Sequence, residues 1–173
     1  MILVGSFKSL RSMPQKPGFT GAPLGVSTWV RSEMILISPL VEWLMGLIAA
    51  SRCVSGMEEY VELALREALC NAMLHGNRLQ ARKLVSVRCC CDYCKGVCIV
   101  ISDQGEGFDL EMVPDPLAVE NLESEHGRGI HLMKLAMDEV SFEHGGTEVR
   151  MRKKLGFEQR KCASALLCRD SVR

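Results

Sequence analysis

Glu67, Asn71 and His75 stand four residues apart in turn, so on a helix they fall in one line along one edge. A carboxylate and an amide on the same edge can hold a divalent cation and a water side by side. Magnesium suits such a pair, because it takes oxygen ligands and draws few of them from protein when phosphates supply the rest. The same trio also reads as an ordinary solvated border of an apolar stripe. A second group is Asp103-Gln104-Gly105-Glu106-Gly107. The Asp103 carboxylate accepts hydrogen bonds and cannot donate them, which suits an amino group such as that of adenine. Gly105 and Gly107 let the backbone bend and come close to a ligand, though the run also reads as a plain turn after a strand. Gly127-Arg128-Gly129 opens an apolar periodic segment. Free N–H groups and the dipole at a helix start attract anions, and Arg128 adds charge. Gly145-Gly146-Thr147 is a hairpin turn by default, with a hydroxyl that can reach a phosphate.

These groups need elements to hold them. Thr28 to Ile37 reads as an edge strand, and Ser38-Pro39 as a helix start with Ser38 as N-cap. Leu40, Trp43, Leu44, Leu47 and Ile48 follow at helical spacing. Met57 to Gly76 predicts a second helix, with Val61, Ala64, Leu65, Ala68, Leu69 and Ala72 in one stripe and Gly76-Asn77 closing it. Val85, Val87, Cys89 and Cys91 alternate with Ser86, Arg88, Cys90 and Asp92, the period of a half-buried strand. Asp92 to Gly96 makes the turn, and Val97 to Ile101 is a central strand ending at Asp103. Residues 104–127 lack a period and read as a long functional loop. Ile130 to Met137 predicts a third helix, and Val140 to Glu143 with Thr147 to Arg152 a second hairpin.

The chain has 173 residues, enough for one domain with its own core. Lys+Arg and Asp+Glu are both 21, so the net charge is zero, which argues against nucleic-acid binding by bulk electrostatics. Aromatics at 5% are too few for a base-stacking platform. The nine cysteines are not led by a proper secretory h-region, and their odd number leaves one unpaired, so a reducing, cytoplasmic compartment is expected. The apolar stretch Met34 to Ala50 carries Pro39 and Glu42 and reads as a buried helix rather than a membrane span. Residues 1–27 read as an irregular extension, with an organellar transit peptide as the alternative, and residues 155–173 as a polar tail. Cys91-x2-Cys94 followed by Cys98, with Cys89 and Cys90 nearby, is either a thiolate metal site or a reduced structural hairpin.

Taken in order, these segments resemble the GHKL ATPase (Bergerat) family. EALCNAMLHGN (67–77) is similar to its N box, ISDQGEGFD (101–109) to its G1 box and HGRGIHLMKLAMDEV (126–140) to its G2 box. VPDPLAVENL (113–122) resembles the lid and GGTEVRMRK (145–153) the closing strands. The wording resembles the anti-sigma factor serine/threonine kinases of bacterial sporulation and stress responses, over about residues 28–154. The resemblance implies an α+β fold, a two-layer sandwich with a mixed, mostly antiparallel sheet and helices on one face. It implies ATP and Mg2+ as cofactors, Asn71 on the metal, Glu67 as general base and Asp103 on the adenine amino group. Gly105 and Gly107 would shape that pocket, Gly127, Arg128 and Gly129 would cradle phosphate, Thr147 would lie beneath the base, and 110–126 would be the ATP lid. The implied partners are a sigma factor, an anti-anti-sigma (STAS-domain) protein that is phosphorylated on serine, and a second copy of the chain. One departure stands out. Many kinase-competent members carry Arg two residues before the first glycine of the G2 box, where this chain has Glu125. Two alternatives stay open: an anti-sigma module that holds ATP without transferring phosphate, and a sensor histidine-kinase catalytic domain. The latter is disfavoured because no helix carrying a phospho-accepting His before a dimerising hairpin fits in residues 1–55.

Overall fold

A computed structural model describes residues 24–92, 95–109 and 128–155. Five strands and three helices follow one another as β1 (Leu24–Arg31), α1 (Ile37–Ser51), α2 (Glu58–Cys70), β2 (Leu84–Asp92), β3 (Gly96–Ser102), α3 (Arg128–Ala136), β4 (Glu139–Glu143) and β5 (Glu148–Lys153). The strands form one sheet in the order β1-β2-β3-β5-β4, and each of its four pairings is antiparallel. The expected α+β sandwich is therefore present, with no parallel pair among the described residues. The proposed lid (110–126), Glu125 and Gly127 lie outside the described residues, as do 1–23 and 156–173.

Alternation decides which face of the sheet is covered. Val85, Val87, Cys89 and Cys91 of β2, Val97, Ile99 and Ile101 of β3, and Val149 and Met151 of β5 are buried in one core. From the helices, that core takes Val41, Leu44 and Ile48 of α1, Val61, Leu65 and Leu69 of α2, and Met133 of α3. α2 packs against both α1 and α3. The opposite face of the sheet carries Ser86, Arg88 and Cys90 and has no helix over it among the described residues.

Met34–Ser51 is apolar and long enough to cross a membrane by composition alone. Here Ile37, Leu40, Val41, Leu44 and Ile48 are buried against the domain, as the sequence suggests. The start of α1 differs from expectation. The helix begins at Ile37, and Ser38 makes no cap. A 3-10 turn, Met34–Leu36, leads into it, and the Ile37 N–H donates to Met34 O. That turn gives the first N–H of α1 an acceptor in the preceding backbone. Ser38 Oγ instead accepts from Arg66 Nη1 at 3.3 Å. β1 also starts four residues before the expected Thr28, because its register on β2 runs on to Leu24↔Cys91, and it ends at Arg31 rather than Ile37, where the 3-10 turn and α1 take over.

The thiols sort onto two faces. Cys53, Cys89 and Cys91 are buried, whereas Cys90 is exposed and lies directly opposite half-buried Cys98. Cys91 and Cys98 therefore sit on opposite faces of the sheet, and this removes the metal reading that joined them. Contact with Cys91, and then burial, raises the Cys53 thiol far above its usual range. Cys91 is pushed up to about 12: contact with Cys53 lowers it, but contact with Cys89 and burial outweigh that. Only thiolates alkylate quickly. Burial raises the Cys90 thiol as well, so exposure sets the order: native-state alkylation at mildly alkaline pH should label exposed Cys90 well ahead of buried Cys53, Cys89 and Cys91, as read by peptide mass spectrometry. Equal labelling of Cys89 and Cys90 before denaturation would contradict the strand facing.

Candidate active site

α2 builds the site because its stripe and its border are different residues. Val61, Ala64, Leu65, Ala68 and Leu69 face the core. Glu67, next to that stripe, is left on the rim of an open cleft. After Cys70 the helix widens into a π-helical turn, Asn71–Gly76. The Asn77 N–H donates to Ala72 O at 2.8 Å, five residues back, and the Leu79 N–H reaches Met73 O at 2.9 Å. Such wide turns inside helices are frequent at functional sites, since they re-aim side chains that an α-helix would place elsewhere. Glu67, Asn71 and His75 all line the cleft, but on a helix that changes pitch between them. The even spacing in sequence hides this change.

The first residues of α3 close on that rim. A Cβ built on Gly129 would lie 2.8 Å from Glu67 Oε2 and 3.3 Å from Asn71 Oδ1. Both oxygens thus converge on the first turn of α3, where only a glycine leaves them room. Arg128, the first residue of that helix, lines the same space.

The other motif group meets across the end of β3. The Asp103 N–H donates to Thr147 O at 2.9 Å, and its Oδ1 accepts the Gly105 N–H at 2.7 Å. Burial raises the Asp103 pKa, although the Gly105 N–H and the charge on Lys83 oppose the shift. Thr147 Oγ1 donates to His144 O at 3.0 Å, so its hydroxyl proton is engaged within the turn and Thr147 stands beside Asp103. Gly107 lines the cleft at φ +77°, and the next N–H, of Phe108, donates to Gly145 O at 2.9 Å. Gly105 is not on the wall. It lies one layer behind, where any side chain would collide with Gly76 O.

Glu67, Asn71, Asp103, Gly107, Arg128, Gly129 and Thr147 therefore line one cleft of about 720 Å³, although they come from four separate stretches of chain. Its apolar walls, Ile101, Ile130, Met133, Phe142 and Val149, were not singled out as site residues in the sequence. Their periodicity marks them as core, and periodicity does not distinguish a core face from a cleft wall. Phe108 and Phe142 meet edge to face, with ring centroids 5.5 Å apart at 75°. A long cleft with apolar walls and a few convergent polar groups suits a small flat ligand with a charged tail.

The donor set also fits a magnesium ion. One carboxylate and one amide oxygen face the same space at a helix N-terminus, with no thiolate or imidazole needed to complete the pair.

Residues 30–153 match the histidine kinase-like ATPase domain family. An anti-sigma F factor from Clostridium novyi is 33% identical over 106 residues, covering 57% of this chain and 73% of that protein. The serine-protein kinase RsbW of Bacillus subtilis is 32% identical over 114 residues, covering 58% of this chain and 67% of that kinase. The RsbW of Staphylococcus epidermidis is 32% identical over 105 residues, covering 57% of this chain and 66% of its own length. The match spans the three helices, β2 to β5 and every residue named above as lining the cleft, and with it the chain belongs to the histidine kinase-like ATPase domain family.

Proposed function

We propose that this protein is a cytoplasmic anti-sigma factor and ATP-dependent serine kinase. It sequesters a sigma factor and phosphorylates a serine on an anti-anti-sigma partner, acting as a homodimer. The observation that carries the reading is the convergence of the Glu67 and Asn71 oxygens on the start of α3, in the same cleft as Asp103. The similarity to an anti-sigma F factor and to serine-protein kinases supports the same reading.

ATP lies along the cleft with its base at Asp103 and its phosphates at α3. The Asp103 carboxylate accepts a hydrogen bond from the adenine amino group, Thr147 lies beneath the ring, and Gly105 and Gly107 shape that end. The N-terminal amides of α3, with Gly127, Arg128 and Gly129, hold the phosphates. Asn71 would hold Mg2+, which neutralises phosphate charge when bound. Glu67 takes the proton from the substrate serine as its oxygen bonds to the γ-phosphorus. The bond from that phosphorus to the β–γ bridging oxygen breaks, and ADP leaves. A second reading, binding without transfer, is favoured by Glu125, an acid where kinase-competent relatives often carry Arg.

Transfer of labelled γ-phosphate to the cognate anti-anti-sigma protein decides between the two. Glu67→Ala should cut transfer about 10²–10⁴-fold, the usual worth of a general base, with ATP binding nearly intact. Asn71→Ala should lose both. A wild-type chain that binds ATP and a sigma factor but transfers nothing would establish the second reading.

Gly129→Ala tests the convergence itself. Alanine in a helix normally stabilises by roughly 0.5–1 kcal/mol relative to glycine. The clash at Gly129 is with the mobile end of Glu67, so the carboxylate swings away and the backbone stays. The variant should keep or raise its melting temperature while losing at least about tenfold in transfer, as expected when a general base is displaced.

ATP affinity should also depend on pH through Asp103. Its pKa is raised, so on acidification it takes up a proton at a higher pH than an exposed Asp and loses its charge. Affinity should therefore fall in mildly acidic buffer, above the pH at which an ordinary carboxylate titrates. Calorimetry of Asp103→Asn should show weaker binding with that acidic step removed.

A further inference from the structure

Asn77 is fully buried, yet it does not line the cleft. Its amide reaches three separate segments. Nδ2 donates to Ser32 Oγ at 2.7 Å, just past β1, and to Leu84 O at 3.1 Å, at the start of β2. Oδ1 accepts the Gln104 N–H at 2.8 Å, in the residue that follows Asp103. The orientation of the amide is fixed by its partners, since an N–H must meet Oδ1 and a carbonyl must meet Nδ2. Gln104 returns the contact by accepting the Leu84 N–H at its Oε1, 2.8 Å away. Both backbone polar groups of Leu84 are thus taken by side chains of this cluster.

The consequence falls on Asp103. Its own N–H is held by Thr147 O, and the next N–H along the chain is held by Asn77. The peptide on each side of Asp103 therefore has one fixed partner, and these two bonds, with the Gly105 N–H on Oδ1, set where the carboxylate points. We infer that Asn77 is a positioning residue for base recognition: its buried amide clamps the Asp103–Gly105 turn to the end of α2 and the start of β2, so that the Asp103 carboxylate is aimed at the adenine amino group. This rests on the reading of Asp103 as the adenine acceptor. A purely structural role, closing the π-helical turn through the Asn77 backbone N–H on Ala72 O, makes no demand on the side chain.

The test compares affinities for ATP, GTP and inorganic tripolyphosphate, with melting temperature measured alongside. In Asn77→Ala the ATP:GTP affinity ratio should fall at least about tenfold, the worth of one buried hydrogen bond to the recognition turn, with tripolyphosphate binding unchanged. Asn77→Asp keeps an acceptor for the Gln104 N–H and should recover most of the ratio. Ser32→Ala removes an Nδ2 partner on the side away from Gln104, so it should lower the melting temperature but keep the ratio. If Asn77→Ala does not stay folded, Asn77→Ser serves instead, because its hydroxyl is too short to reach Gln104 and Leu84 together. A destabilised Asn77 variant that keeps the wild-type ratio overturns the clamp alone. A wild-type chain with equal affinity for ATP and GTP overturns the adenine reading of Asp103, and the clamp's role with it.

Discussion

The structure depends on one helix having to satisfy two demands. α2 lies between α1 and α3 on the covered face of the sheet, with Val61, Ala64, Leu65, Ala68 and Leu69 almost wholly out of water. Burying a side chain such as Leu or Val in this way is worth about 1.5–3 kcal/mol each, so the rotation of the helix about its axis is firmly set. Once that stripe is fixed, the residues on its border have no freedom of placement. Glu67 and Asn71 are on that border, and hydrophobic packing therefore aims the polar groups of the cleft.

α3 is held against the same rim from its far end. The Lys153 ammonium, nearly buried at the end of β5, donates to Ala136 O at 2.7 Å and lies 5.1 Å from the centre of the Tyr60 ring on α2. A cation at a helix C-terminus meets carbonyls that have no partner within the helix and favours the negative end of the dipole. It joins β5, α3 and α2 in one contact and leaves the N-terminus of α3 facing the cleft, with its free amides available for anions. The outer face of the sheet shows how electrostatic weight differs by setting. Glu148 is almost buried and accepts from Ser102 Oγ at 2.6 Å and Arg88 Nη2 at 2.8 Å. Removing Arg88 would leave a nearly buried carboxylate without its counter-charge. Arg78–Glu106, by contrast, is well exposed on both sides, and such pairs contribute little.

Much of this was legible in the chain. The stripe of α2, the alternation of β2, the second hairpin and the order of the glycine-bearing groups are all local periodicities or short motifs, and the elements formed where they were expected. The inward thiols Cys89 and Cys91 followed from period two, which also separates Cys90 from them. Where the reading missed, a partner distant in sequence had intervened. Ser38 looks like a cap, but the 3-10 turn before it starts the helix one residue earlier, and its hydroxyl accepts from Arg66, 28 residues away.

Sequence by itself determined which residues face the core, which stand at element ends, and that a carboxylate, an amide and a second carboxylate belong to one order of motifs. These properties depend on the spacing of neighbours along the chain. The tertiary structure alone decided that α2 widens at Asn71, that Gly129 leaves only enough room for two oxygens from another helix, and that Asn77 binds three segments at once. The contacts of Gly129 with Glu67 and Asn71, and of Asn77 with Ser32 and Gln104, join residues 27 to 62 positions apart, and such meetings exist only after separate elements have packed. Burial then fixes them, because a polar group taken out of water must find its partner there.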